Sequence, residues 1–162
     1  MIRYVDRTGW DHGPWDREPD AEFWREGDYY GFALRNPERG TWCGYAAVPP
    51  GHPQWGASAD ATGLQGPREY TFAGRASDLP EHFNLGQGAE GYWAFGFHCA
   101  YGHDDWPGVR QFGDFPRLLK YRKLSYVKGL VQETIAQLRA GSQENRNTGA
   151  VRFKARSNAA GQ

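Results

Sequence analysis

The chain has 162 residues, enough for one domain with a sizeable core, and its 19 basic and 19 acidic side chains cancel. It lacks the basic excess of a typical nucleic-acid binder, and nucleic acid is not the expected partner. No apolar run nears 20 residues and the start, Met1-Ile2-Arg3-Tyr4-Val5-Asp6, lacks a signal peptide's apolar region. The expected setting is therefore cytoplasmic, away from membranes.

Hydrophobic residues make up 39% of the chain, and aromatics alone 15%, so large rings are expected to supply much of the core. The 22 Gly and 10 Pro imply many turns. Cys43 and Cys99 are expected as thiols, since a disulfide scaffold needs more cysteines. The charge is unevenly spread. Residues 1–110 hold 9 Arg and 16 acids, a balance of −7, whereas residues 111–162 hold 10 basic residues and 3 acids, a balance of +7. Either a basic C-terminal part folds onto an acidic body, or it offers a surface to an anion; the balanced total favours the first.

In chain order, residues 1–26 form an aromatic, acidic opening that Gly and Pro interrupt every few positions. Asp20 is placed to cap a short helical turn over Ala21-Glu22-Phe23-Trp24. Residues 28–48 read as a β-hairpin. Its arms are Tyr29–Arg35 and Thr41–Val48, joined by Asn36-Pro37-Glu38-Arg39-Gly40, with Pro at a turn position and Gly where positive φ is needed. Residues 49–68 form a long loop that opens with three prolines in five positions, and loops of this kind are often functional. Short strands follow at 69–74 and from Tyr92, with a polar connection over 75–90.

After Asp114 the pattern turns helical. Leu119, Leu124, Val127, Val131, Ile135 and Leu138 recur on one face, and Asp114, Pro116 and Gly141 suit the ends of a helix over Phe115–Ala140. Arg117, Lys128 and Arg139 would form a basic edge along it. The expected fold class is α+β: an antiparallel sheet with long irregular loops and one long C-terminal amphipathic helix packed on it. Residues 1–141 form the domain, and 142–162 a polar basic tail.

The stretch Tyr92–Gly108 crowds His98, Cys99, His103, Asp104 and Asp105. Strand alternation sends His98 and Cys99 to opposite faces, so no metal site and no cofactor is expected there. As a catalytic set His98, His103 and Asp105 would serve acid–base chemistry, but no nucleophile is marked. Both the 29–35 and 92–98 strands have one bulky face and one face of small residues. Small residues in strands usually mark the close approach of a helix. They could also form a trough for a planar ligand, with Tyr29 or Tyr92 stacking and Arg35 or His98 meeting an anionic part. His52 in the proline-rich loop and Lys120 within the apolar stripe complete the candidate contacts.

Several segments in order carry a family resemblance: Gly9-Trp10-Asp11, Gly13-Pro14-Trp15, Glu18-Pro19-Asp20, Val48-Pro49-Pro50-Gly51-His52-Pro53, Trp93 with Phe95-Gly96-Phe97 and Cys99-Ala100, and Tyr121-Arg122 with Tyr126-Val127. Together they resemble a family of small phage and prophage proteins of unassigned function. In that family Asp often stands where this chain has His98, and His where it has Tyr101. By analogy of setting, the resemblance implies an accessory protein that counters host defence. The reading it favours is a non-enzymatic protein that sequesters a small nucleotide-like immune signal. The alternatives are a protein–protein inhibitor of a host defence component and a small phosphodiesterase-type hydrolase. A homo-oligomer is the remaining partner expectation.

Overall fold

The computed structural model describes residues 1–80, 88–113 and 119–159, with the side chains of the C-terminal helix described through Glu144. Five strands, β1 (Ala21–Glu26), β2 (Tyr29–Arg35), β3 (Trp42–Val48), β4 (Phe72–Arg75) and β5 (Trp93–His98), form one antiparallel sheet in the order β1-β2-β3-β5-β4. One helix, α1 (Leu124–Ala159), lies across it, which makes the fold α+β as expected. The β2–β3 hairpin follows the sequence reading, with Gly40 at φ +75° closing the turn.

Alternation within each strand builds two cores. On the helix side, Tyr29 and Ala33 of β2, Trp42, Ala46 and Val48 of β3, and Phe95 and Phe97 of β5 pack with Cys99 against Val127, Val131, Ile135 and Leu138 of α1. On the other side, Tyr30, Phe32 and Leu34 join Ala47 and Ala94 beneath Ala76, Leu79 and Ala89 from the loops. The small faces are filled from within the protein. The Trp24 ring covers Gly31, and a methyl group at Gly44 would come within 2.5 Å of the Phe97 ring and 2.9 Å of Val131. On the small face of β2, Ala33 thus packs in the cluster with α1, while the gap at Gly31 is taken by Trp24 of the neighbouring strand.

Two sequence expectations are corrected. Residues 21–26 are a strand, because Asp20 is not free to cap a helix. Its carboxylate accepts the Tyr4 and Val5 backbone N–H groups, each at 2.8 Å, and is held by Arg35 Nε at 3.0 Å and by Arg7. The helix begins at Leu124, and residues 119–123 precede it without helical structure. Its cap comes from far away in sequence: Glu18 accepts both the Leu124 N–H and the Tyr121 hydroxyl proton. The helix then continues through Gly141. Asp114, Phe115, Pro116 and Arg117 lie outside the described residues.

Among the described residues, part of the basic C-terminal charge meets the acidic body: Lys128 pairs with Glu22, Arg122 meets Asp104 at 3.2 Å, and Arg139 donates to the Glu26 carbonyl at 3.3 Å. Lys128 and Arg139 of the expected basic edge thus dock along β1.

Candidate functional site

The face of the sheet away from α1 carries a pocket of about 320 Å3 near the start of β3 and the end of β5. Strand register makes its floor. Cys43 pairs with His98, and two residues further along Tyr45 and Phe72 flank Gly96 from either side. With no side chain at Gly96, the Tyr45 ring lies over it, 2.4 Å from where a Cβ would stand. There it meets Phe72 edge to face, at 5.5 Å between centroids.

The walls come from two loops. The β2–β3 turn supplies Asn36, Arg39 and Thr41, and the segment after β5 supplies Ala100 and Trp106. Asn36 Oδ1 accepts the Glu38 and Arg39 N–H groups and so holds the turn. The Arg39 guanidinium lies 5.5 Å from the centre of the Trp106 ring.

Two residues of these walls carry a buried polar atom without a hydrogen-bond partner among the described residues, Thr41 at Oγ1 and Trp106 at Nε1, and Thr41 is 3% exposed. Each such buried group left unpaired costs about 1–3 kcal/mol. An acceptor that reached either atom would remove that cost, since an indole N–H can only donate and a hydroxyl can do either. The titratable groups stay neutral. Burial, helped by the charges of Arg39 and Arg68, holds the His98 imidazole below its ordinary pKa, and burial pushes the Cys43 thiol up. His98 Nδ1 accepts the Ala100 N–H at 3.2 Å, which leaves the ring proton on Nε2. The pocket therefore offers hydrogen-bond donors and one cation beside an aromatic wall.

Of the six residues read from the sequence as ligand contacts, His98 alone lines this pocket. Tyr29, His52 and Tyr92 meet at the other end of the sheet around an open depression of about 580 Å3 with Pro49, Pro50 and Pro53. His52 is engaged there on both ring nitrogens, with Leu138 O at 3.1 Å and the Gln54 N–H at 3.0 Å, and so ties the proline loop to α1. Lys120 is exposed, and its backbone pairs with the Asp104 segment.

Arg35 has a structural role instead of a ligand-facing one. Its side chain is fully buried and bonds Asp20, the Gly40 carbonyl at 2.7 Å and the Tyr121 hydroxyl at 2.9 Å, with its guanidinium 4.4 Å from the Trp42 ring centre. No face is left for a phosphate.

Of the hydrolase set, His98 and His103 both stack on Tyr101, at 4.6 and 6.0 Å between centroids, exposed His103 lies 3.8 Å from Asp104, and Asp105 faces Arg110 at 3.1 Å with no hydrogen bond or ion pair to either histidine among the described residues. Asp104 is committed to Arg68 through two bonds of 2.7 Å. Burial would raise its pKa, but the bonds from Arg68, the Tyr101 N–H and Arg122 outweigh that and hold the carboxyl below its ordinary value. Cys99 lies on the helix side, its thiol pushed up to about 12 by burial, so it and His98 face opposite ways.

Sequence reasoning missed Thr41, Arg39, Trp106, Tyr45 and Phe72. The usable signal was Gly96, a small residue between two aromatics that only the strand pairing reveals. No protein-family model matches the chain, and neither does any curated protein or solved structure.

Proposed function

We propose that this protein captures a small nucleotide-like ligand without transforming it, in the pocket between the Asn36–Thr41 turn, Trp106 and the Tyr45–Gly96–Phe72 row. The observation that carries this reading is that Thr41 and Trp106, whose Oγ1 and Nε1 have no hydrogen-bond partner among the described residues, line the same pocket as the Arg39 cation. Buried polar groups in native proteins are normally satisfied, and two orphans at one cavity are explained by an acceptor that arrives with a ligand. The aromatic wall suits a planar ring, and the donors suit an anion. Supporting capture over hydrolysis is the engagement of the nearby carboxylates by arginines, Asp104 by Arg68 and Arg122 and Asp105 by Arg110. The resemblance to small phage proteins supplies the proposed role, sequestration of a nucleotide signal of host immunity.

The test is incubation with a panel of radiolabelled nucleotides, followed by heat denaturation and recovery. Intact ligand released from the wild type, with at least tenfold weaker capture by Thr41→Val and Trp106→Phe, is the expected result. A cleaved product would overturn capture in favour of hydrolysis. Undiminished capture by both variants would move the site elsewhere.

A further inference from the structure

Arg39 is the only charged side chain among the described residues that line the pocket. It makes no ion pair among the described residues. Arg68, whose charge also acts on His98, is spent on Asp104 at 2.7 Å through both arms of its guanidinium. The remaining polar groups, Asn36, Thr41, Cys43, Thr71, His98 and Trp106, are neutral there, because burial keeps the thiol protonated and the imidazole uncharged. The site thus holds one uncompensated positive charge and several neutral donors.

Resting on the ligand reading above, we infer that the pocket takes a singly charged mononucleotide with a cyclic phosphodiester. Its phosphate lies at Arg39, Thr41 and Trp106, and its base lies against Tyr45 and Phe72. A phosphodiester carries one negative charge, shared by two non-bridging oxygens. A phosphomonoester carries about −1.5 to −2 near neutral pH. The second charge would find no second cation among the described residues that line the pocket. Size points the same way. A volume of about 320 Å3 lies at the small end of ligand sites, which run from about 300 to 1,000 Å3. That holds one nucleotide unit and not two joined ones.

Calorimetric titration of the full chain with five probes tests this: cyclic AMP, cyclic GMP, AMP, GMP and adenosine. One cyclic nucleotide is expected to bind at least tenfold more tightly than its matching monophosphate, and more tightly than the nucleoside. Arg39→Gln is expected to lose that tenfold preference, while Arg75→Gln, an exposed arginine on edge strand β4, keeps it. A monophosphate that binds as tightly as its cyclic form would overturn the single-charge assignment and leave the ligand reading standing. A nucleoside that binds as tightly would overturn the anion subsite. No binding of any of the five would overturn both.

Discussion

The Gly108 N–H donates to the Arg39 carbonyl at 2.9 Å and so joins the loop that carries Trp106 to the turn that carries Arg39. The approach is close enough that only glycine fits. A methyl at position 108 would stand 2.2 Å from the Glu38 carbonyl oxygen and 2.9 Å from the Arg39 carbonyl carbon. The two walls of the pocket are thus set by one backbone contact.

Gly108→Ala should therefore separate the walls. Overpacking of this kind costs about 1–3 kcal/mol. We expect a lower Tm and a loss of nucleotide capture larger than the stability loss explains at a temperature where the variant remains folded. Calorimetric titration alongside thermal unfolding separates the two effects.

Gly44→Ala tests the opposite face. Its methyl would strike Phe97 and Val131 under the helix, on the far side of the sheet from the pocket. The expected outcome is a loss of about 1–3 kcal/mol in denaturant unfolding with ligand affinity unchanged.

Arg35→Ala should behave as a stability variant. It removes one of two arginines from buried Asp20, which keeps Arg7, and the arginine from half-buried Glu18, and breaking a buried ion network from one side costs up to about 3–5 kcal/mol. Urea unfolding measures this. If the variant is studied below its lowered melting point, capture should be retained, because Arg35 lines neither wall of the pocket.

Acid sensitivity follows from three groups with depressed pKa values. His98 has a folded pKa below its ordinary value of about 6.5, so its contribution is present above that value and lost as pH falls through the folded one. Asp20 and Asp104, both lowered, add stability above the ordinary carboxylate range that is lost below it. Asp105 has the reverse sign. Burial raises its pKa despite Arg110, so its contribution is present at low pH and lost as pH rises through the folded value. Asp105→Asn should accordingly raise Tm at neutral pH, with the gain shrinking toward about pH 4. Thermal melts across pH check the sign.

Much of the fold was legible from local pattern. Pro37 and Gly40 mark the hairpin turn, alternation divides Phe95 and Phe97 from Ala94 and Gly96, and the spacing of Val127, Val131, Ile135 and Leu138 sets the helix face. What was hidden depended on distant partners. The helix start is set by Glu18, 106 positions before Leu124, so the local cap signal at Asp114 did not locate it. Asp20 looked like a helix cap because its real partners, Tyr4, Val5, Arg7 and Arg35, surround it only in three dimensions. The candidate site was half legible. His98 and the small face of β5 could be read from alternation, but Thr41 and Trp106 come together only through strand register and the Gly108 contact. Arg35 had the right chemistry for an anion and the wrong burial.

The most direct measurement is the indole N–H resonance of Trp106 in a nitrogen–proton correlation spectrum, assigned by its loss in Trp106→Phe. This group has no hydrogen-bond acceptor among the described residues, so a ligand oxygen that reaches it would change its environment directly. On addition of cyclic AMP or cyclic GMP we predict a downfield shift of that resonance, absent in Thr41→Val at the same concentration. A Trp106 indole signal that stays in place at saturating concentrations of both nucleotides would contradict the account.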